Sequence, residues 1–153
     1  MLILIVEDDI NKISKIESFL IEQYQSINIE QANSYNSGLR KILFNKYDLI
    51  LLDMTMPTFD KTSSSSSSGG KLVQFAGKEI LAQMKRKKVI TPVIVITQYA
   101  TFGENDTLKS FSDMKKELKE EFNSNLLEMV FYEASKSDWE IEIKNLLKEY
   151  NLC

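Results

Sequence analysis

Acidic side chains follow two apolar runs of this sequence, and a hydroxyl ends a third. Glu7, Asp8 and Asp9 follow LILIV, Asp53 follows LILL, and Thr97 ends PVIVIT. Carboxylates brought close together bind a hard divalent cation such as Mg²⁺, and without a cation they raise one another's pKa values. The sequence leaves an alternative open, in which the three consecutive acids only cap a helix and Asp53 is a solvated turn residue.

The residue types that are absent narrow the chemistry further. The chain has no histidine and one cysteine, Cys153, which excludes serine and cysteine triads and the usual zinc sites. A net charge of -3 gives no basic surface for nucleic acid. The longest apolar run, 2–6, is too short to cross a bilayer, so we expect a cytoplasmic protein without membrane contact.

Five short apolar strands alternating with five amphipathic helices are predicted to position these groups. The strands are expected at 2–6, 27–31, 49–52, 92–97 and 126–132, and the helices at 10–24, 34–45, 77–87, about 106–122 and 138–150. This alternation predicts an α/β fold with a parallel sheet between two helical layers. Sites in such folds form at the carboxyl ends of the strands, where the polar groups would converge.

The motifs LILIVEDD, LILLDMTMP and PVIVIT, in this order, resemble those of the receiver domain of two-component response regulators. The resemblance implies a flavodoxin-like, doubly wound five-stranded parallel sheet with strand order 2-1-3-4-5. It also implies magnesium-dependent transfer of a phosphoryl group to an aspartate from a histidine kinase or a phosphotransfer protein. A carboxylate suits this reaction, since phosphoryl transfer depends on positioning and charge neutralisation more than on acid–base catalysis.

The resemblance gives a role to each polar group at the strand ends. Asp53 matches the phosphoacceptor, Asp8 matches a direct Mg²⁺ ligand, and Glu7 matches an acid that acts on the metal through water. Thr55 would donate its backbone carbonyl to the metal. Thr97 matches the switch hydroxyl that turns to bond the acyl phosphate.

The lysine that completes the site in this family follows the fifth strand, where the match is incomplete. Lys136 is the candidate, but Ser137 stands in place of the usual proline, and Ser135 takes the position if the strand ends at Tyr132. Lys136 is otherwise a solvated lysine near a helix start. Gln98 stands where the family has a very small residue, and its longer side chain would crowd the acyl phosphate.

Two insertions, at about 58–76 and 99–124, interrupt the resemblance and border the carboxyl edge of the sheet. The first contains TSSSSSSGG, which has the composition of a flexible linker. The second contains the charged helix DMKKELKEEF, which is either a solvated face or a docking surface. We therefore expect one receiver-like domain over residues 1–153, with two insertions that cover the site or contact a partner.

These features favour a stand-alone receiver that is phosphorylated on Asp53 and signals to a protein partner through Thr97 and the fourth helix. No turnover is expected beyond autophosphorylation and autodephosphorylation. An alternative is a receiver-like interaction module that works without phosphorylation, which Gln98 and the missing Lys-Pro favour. A metal-dependent phosphatase is disfavoured because Asp53-Met54-Thr55 lacks the DxD pair of such enzymes. Homodimerisation through the fourth helix, fifth strand and fifth helix stays open.

Overall fold

The computed structural model describes residues 1–61 and 72–152, in which nine strands and five α-helices follow one another. The strands are β1 (Leu2–Val6), β2 (Asn28–Ala32), β3 (Leu49–Leu52), β4 (Met56–Pro57), β5 (Leu72–Val73), β6 (Val93–Thr97), β7 (Thr101–Phe102), β8 (Lys109–Ser110) and β9 (Leu126–Phe131). The α-helices are α1 (Ile10–Gln23), α2 (Tyr35–Phe44), α3 (Ala76–Arg86), α4 (Phe111–Glu121) and α5 (Asp138–Glu149).

Five of the strands form one parallel sheet in the order β2-β1-β3-β6-β9. Strands β1, β3 and β6 are runs of Leu, Ile and Val buried on both faces, as expected when helices cover both sides of a sheet. This order is 2-1-3-4-5 for the five sheet strands, so the predicted doubly wound, flavodoxin-like fold is confirmed. The order reverses between β1 and β3, which places a crevice at their carboxyl ends.

The two helical layers rest on separate apolar cores. On one face, α1 and α5 bury residues such as Ile16 and Ile143, and the Phe19 and Trp139 rings meet edge to face at 5.4 Å between centroids. On the other face, α2, α3 and α4 form the second core. Within the described residues, every helix is too short or too polar to span a bilayer.

Two antiparallel ribbons follow the carboxyl ends of β3 and β6, where the sequence predicts insertions. Strand β4 pairs with β5, and β7 pairs with β8. The Gly103 amide donates a hydrogen bond of 2.7 Å to Oε1 of Gln74, which joins the two ribbons. The serine segment predicted to be a flexible linker lies outside the described residues.

The fourth helix begins later than the sequence predicts. Asp106 and Thr107, where the predicted helix of about 106–122 starts, lie in a 3₁₀ turn, and the helix begins at Phe111. The side chain of Ser110 caps it by accepting a hydrogen bond from the Asp113 amide at 3.1 Å. Because α4 buries Met114 and Leu118 against the sheet, it belongs to the helical layer of the fold.

Candidate functional site

The acids predicted to bind a metal meet at the carboxyl ends of β1 and β3, where the strand order reverses. Carboxylate oxygens of Glu7, Asp8 and Asp53 all lie within 4.8 Å of one another. Glu7 and Asp53 are only 2% and 3% exposed, whereas Asp8 is half-buried. Three oxygen ligands at this spacing fit a hard divalent cation that keeps part of its water shell. The residues present therefore fit Mg²⁺.

Backbone hydrogen bonds hold the two buried acids in register with the sheet. The Glu7 amide donates to the Ala32 carbonyl at 2.9 Å, and the Asp53 amide donates to the Val6 carbonyl at 3.0 Å. Each acid thus extends the backbone hydrogen bonding of its strand by one residue, and its side chain lies at the carboxyl edge of the sheet. The Met54 amide then donates to Asp53 Oδ1 at 2.8 Å, which orients that carboxylate.

The three consecutive acids after β1 have different structural roles. Oδ1 of Asp9 accepts hydrogen bonds from the Asn11 and Lys12 amides, so Asp9 is the cap of α1. Oε1 of Glu7 accepts the Asp8 and Asp9 amides, both at 3.0 Å, and its other oxygen faces the cluster. The capping interpretation therefore holds for Asp9 alone, and the other two acids belong to the cluster.

A buried lysine from α1, which the sequence motifs do not place in the site, enters the acidic cluster. Lys12 is 2% exposed, and its Nζ lies 2.5 Å from Glu7 Oε2 and 3.3 Å from Asp53 Oδ1. The same ammonium donates to the Ile96 carbonyl at 2.7 Å. A signal was present in the sequence, because Lys12 precedes Ile16 by four residues and therefore shares the apolar stripe of the helix.

The structure does not bring Lys136 to this cluster. Its side chain is 58% exposed, and its Nζ lies 3.5 Å from Glu133 Oε2. Strand β9 ends at Phe131, and the loop that follows is fixed to α1 by a 2.7 Å hydrogen bond from Lys15 Nζ to the Ala134 carbonyl. Lys136 therefore lies on the surface of this loop.

The two threonines named by the sequence are both buried near the carboxyl edge of the sheet. Thr97 is fully buried at the end of β6, and its Oγ1 accepts the Tyr99 amide at 3.3 Å. Thr55 is also buried, and its hydroxyl donates to the Gln74 carbonyl at 3.4 Å. Gln98, which follows Thr97, is exposed to solvent.

Gly77, in the first turn of α3, contacts the backbone that carries Asp53. Its amide donates to the Met54 carbonyl at 3.0 Å. A Cβ atom added at Gly77 would lie 2.5 Å from the carbonyl oxygen of Asp53 and 2.9 Å from the Cα of Met54. Only glycine permits α3 to begin this close to the backbone that carries Asp53.

The cluster carries more negative charge than its one ammonium can balance. Burial raises the pKa of Glu7 to about 7, with the Asp53 charge adding to this shift and Lys12 opposing it. Burial and the Glu7 charge raise the pKa of Asp8 to about 6. Burial would lower the pKa of Lys12, but the charges of Asp53 and Glu7 outweigh it and raise that pKa, so the lysine is charged. A divalent cation would neutralise the two charges that remain when all three acids are ionised.

Comparisons with known proteins agree with this arrangement, although no protein-family model matches the chain. The chain is 29% identical to the Detocs response regulatory protein DtcB from Enterobacter cloacae, over 97% of this chain and 99% of that protein. The fold matches the CheY-like receiver domain from Methanospirillum hungatei with a TM-score of 0.61 at 19% identity, covering 98% of this chain and 95% of that one.

A second solved structure with the same fold carries a magnesium complex. Response regulator TrrA from Thermotoga maritima, in complex with Mg²⁺-BeF, matches with a TM-score of 0.60 at 22% identity, covering 95% of this chain and 98% of that one. The chain is thus similar over its full length to a response regulatory protein, and its fold is that of CheY-like receiver domains.

Proposed function

We propose that this chain is a single receiver domain over residues 1–153 that accepts a phosphoryl group on Asp53. Its donor is the phosphohistidine of a cytoplasmic histidine kinase or phosphotransfer protein. The observation that carries the proposal is the cluster of Glu7, Asp8 and Asp53 at the strand-order reversal, with a buried ammonium against the central carboxylate. This arrangement combines a nucleophile, a metal site and a positive charge, the three parts that phosphoryl transfer to an acid requires.

The metal is proposed to bind through Asp8, Asp53 and the backbone carbonyl of Thr55, with Glu7 acting through water. When bound, Mg²⁺ would neutralise charge on the transferring phosphoryl group. Asp8 borders a surface cavity of about 530 Å³ that Asn33 and Pro57 also line, so a hydrated cation has an open approach from that side. Glu7 and Asp53 form the buried side of the site.

In the transfer, an oxygen of Asp53 forms a bond to phosphorus while the bond between phosphorus and the donor's imidazole nitrogen breaks. The electron pair of the broken bond remains on that nitrogen. The Met54 amide holds Asp53 Oδ1, so the carboxylate enters the reaction with a fixed orientation. No residue of this chain has to give or take a proton in this step.

Thr97 is proposed to transmit the modification to α4. Its hydroxyl oxygen already accepts the Tyr99 amide, and its proton is then available to donate to a phosphoryl oxygen. A turn of Thr97 toward Asp53 would weaken the Tyr99 contact and displace the segment after β6. The Ala100 carbonyl in that segment accepts the Phe111 amide at 2.8 Å, which links this movement to the first residue of α4.

The test is a mass measurement after incubation with acetyl phosphate and Mg²⁺. We expect the intact mass of the wild type to rise by one phosphoryl group, with an adduct that is stable in acid and cleaved by hydroxylamine. Asp53→Asn should show no such adduct, and omission of Mg²⁺ should suppress it. An unmodified wild-type mass under these conditions would contradict the proposal.

A second candidate is an interaction module that works without phosphorylation. The observation that favours it is that Lys12 already pairs with Glu7 and Asp53, so the buried acids keep a partner when no metal is bound. Under this alternative, Asp53→Asn would retain partner binding and cellular activity. Loss of both in that variant, together with an adduct on the wild type, would exclude it.

A further inference from the structure

We propose that Lys12, in the first turn of α1, is the catalytic lysine of this receiver, in place of a lysine that follows the last strand of the sheet. It would contact the reacting carboxylate of Asp53 and then bind an oxygen of the phosphoryl group. The inference rests on the proposed phosphorylation of Asp53 and names the residue that supplies the positive charge. The 3.3 Å separation between Lys12 Nζ and Asp53 Oδ1 carries it.

The position of Lys12 is unfavourable for a lysine in every respect except its contacts with the site. A positive side chain in the first turn opposes the helix dipole, and burial of an ammonium costs several kcal/mol when it is unpaired. Lys12 is nevertheless 2% exposed. Ion pairs with Glu7 and Asp53 and a hydrogen bond to the Ile96 carbonyl offset the cost.

Helix geometry directs Lys12 into the site. Side chains of an α-helix tilt toward its N-terminus, so Lys12 points back to the end of β1, where Glu7 lies. The Asp9 cap fixes the start of the helix, because its Oδ1 accepts the Lys12 amide at 3.2 Å. The Tyr132 ring closes the opposite side, with its centroid 5.6 Å from Lys12 Nζ. The ammonium is therefore held before any phosphodonor arrives.

The loop after β9 is arranged so that its own lysine does not reach the site. Tyr132, the first residue after the strand, is buried beside Lys12 and packs on Trp139 at 5.1 Å between ring centroids. Lys136 follows four residues later, where its amide donates to the Glu133 carbonyl at 3.1 Å and its side chain reaches solvent. In this loop, Tyr132 therefore contacts Lys12 beside the acids, whereas the Lys136 side chain lies at the surface.

The chemical role of Lys12 needs no proton transfer. As the bond between Asp53 and phosphorus forms, the ammonium keeps its three protons and exchanges its ion contact with Asp53 Oδ1 for a contact with a phosphoryl oxygen. The ion pair with Glu7 and the hydrogen bond to the Ile96 carbonyl keep the ammonium in place. The charge that develops on the phosphoryl oxygens is then met by a donor that was already oriented, which is the main source of stabilisation in reactions of this type.

If Lys12 is catalytic, its removal should change the transfer rate and the Mg²⁺ affinity in opposite directions. Transfer to Asp53 slows, because the phosphoryl group loses its positive contact. Binding of Mg²⁺ strengthens, because the metal no longer meets an ammonium that already occupies Glu7 and Asp53. A lysine that only supported the fold would weaken both together.

The experiment compares Lys12→Met with Lys136→Met, two variants that remove the same charge. The rate of adduct formation with acetyl phosphate and Mg²⁺ is followed by intact mass, and Mg²⁺ affinity is measured calorimetrically without phosphodonor. We expect Lys12→Met to slow the reaction by about 100-fold or more and to bind Mg²⁺ more tightly. Lys136→Met should keep the wild-type rate and affinity.

Loss of adduct in Lys136→Met, or a wild-type rate in Lys12→Met, would overturn the inference. Circular dichroism checks that each variant is folded, and Lys12→Gln replaces Lys12→Met if the latter unfolds, because its amide still donates hydrogen bonds to the acids. Failure of the wild type to form any adduct would instead contradict the proposed function. If the wild type and the Lys12 variant both form the adduct at the same rate, only the role of Lys12 is refuted.

Discussion

The buried glutamate of the acidic cluster should make the stability of the metal-free protein fall as the pH rises. The pKa of Glu7 is raised from 4.5 to about 7 in the folded chain. Between these values the folded state binds more protons than the unfolded state, so the free energy of unfolding decreases with pH. One pKa unit corresponds to about 1.36 kcal/mol. The free energy of unfolding therefore falls by about 3 kcal/mol through Glu7 once the pH exceeds its pKa in the folded chain.

Other groups do not reverse this sign in the same window. Asp8, whose pKa is raised to about 6, acts in the same direction, with a smaller effect because solvent screens its half-buried carboxylate. The raised pKa of Lys12 affects stability only above its ordinary value of 10.5. Glu142, whose pKa burial raises, contributes equally to the wild type and to a Glu7 variant. The difference between these two proteins therefore reports Glu7 together with its effect on Asp8.

The assay is thermal and urea unfolding of the wild type and Glu7→Gln from about pH 5 to about pH 8, with chelator present. We expect the wild-type melting temperature to fall by about 6–12 °C more than that of Glu7→Gln, at about 2–4 °C per kcal/mol for a chain of this size. Exposed Glu149→Gln is the matched control and should follow the wild type. A wild-type profile no steeper than that of Glu7→Gln would refute the reasoning.

Magnesium should remove most of this loss, because it binds the ionised carboxylates. At about 100 times its dissociation constant, a ligand that binds only the folded state adds about 2.7 kcal/mol to the free energy of unfolding. We expect that gain near pH 8 and a much smaller one near pH 5, where a proton occupies Glu7. Equal stabilisation by Mg²⁺ at both values would show that the metal does not bind through this carboxylate.

Three further predictions concern the elements that hold the site. Gly77→Ala should lower stability by about 1–3 kcal/mol and slow adduct formation, since its Cβ would overlap the Asp53 carbonyl; unfolding curves and mass measurement check both. Gln74→Ala should cost about 1 kcal/mol and speed hydrogen exchange over 101–110, because the Gly103 amide loses its acceptor; unchanged exchange there would contradict the link. Asp9→Ala should cost about 1 kcal/mol in urea unfolding through loss of the α1 cap, while Asp9→Asn should stay close to wild type.

The sheet and its acids were predictable because each depends on local pattern and parallel topology. A buried apolar run that ends in an acid places that acid at the carboxyl edge whatever the loops do, and Asp53 and Glu7 follow this rule. The start of α4 was not predictable in this way. Asp106 and Thr107 are good capping residues, but the pairing of β7 with β8 draws them into the ribbon, and Ser110 becomes the cap.

The lysine was missed for a different physical reason. A charged side chain on a helix is ordinarily solvated. The residues that flank Lys12 in the sequence do not indicate that it contacts acids from two different strands. Position along the chain favours Lys136 instead. A family resemblance matches positions in the sequence and carries no information about where a side chain points. The Tyr132 ring, which lies beside Lys12 and packs on Trp139, belongs to a residue that pattern alone assigns to ordinary core.

A lysine carried by α1 has a consequence for how well the site is preorganised. Its backbone lies in a helix fixed at one end by Asp9 and packed along its length through contacts such as Phe19 against Trp139. A lysine on an exposed loop would have to be ordered as the phosphoryl group arrives, at a cost of about 2 kcal/mol in side-chain entropy. Lys12 loses this side-chain entropy when the chain folds, because its ammonium is then held by Glu7 and the Ile96 carbonyl. Under the proposed role of Lys12, the loop after β9 would have no function in catalysis.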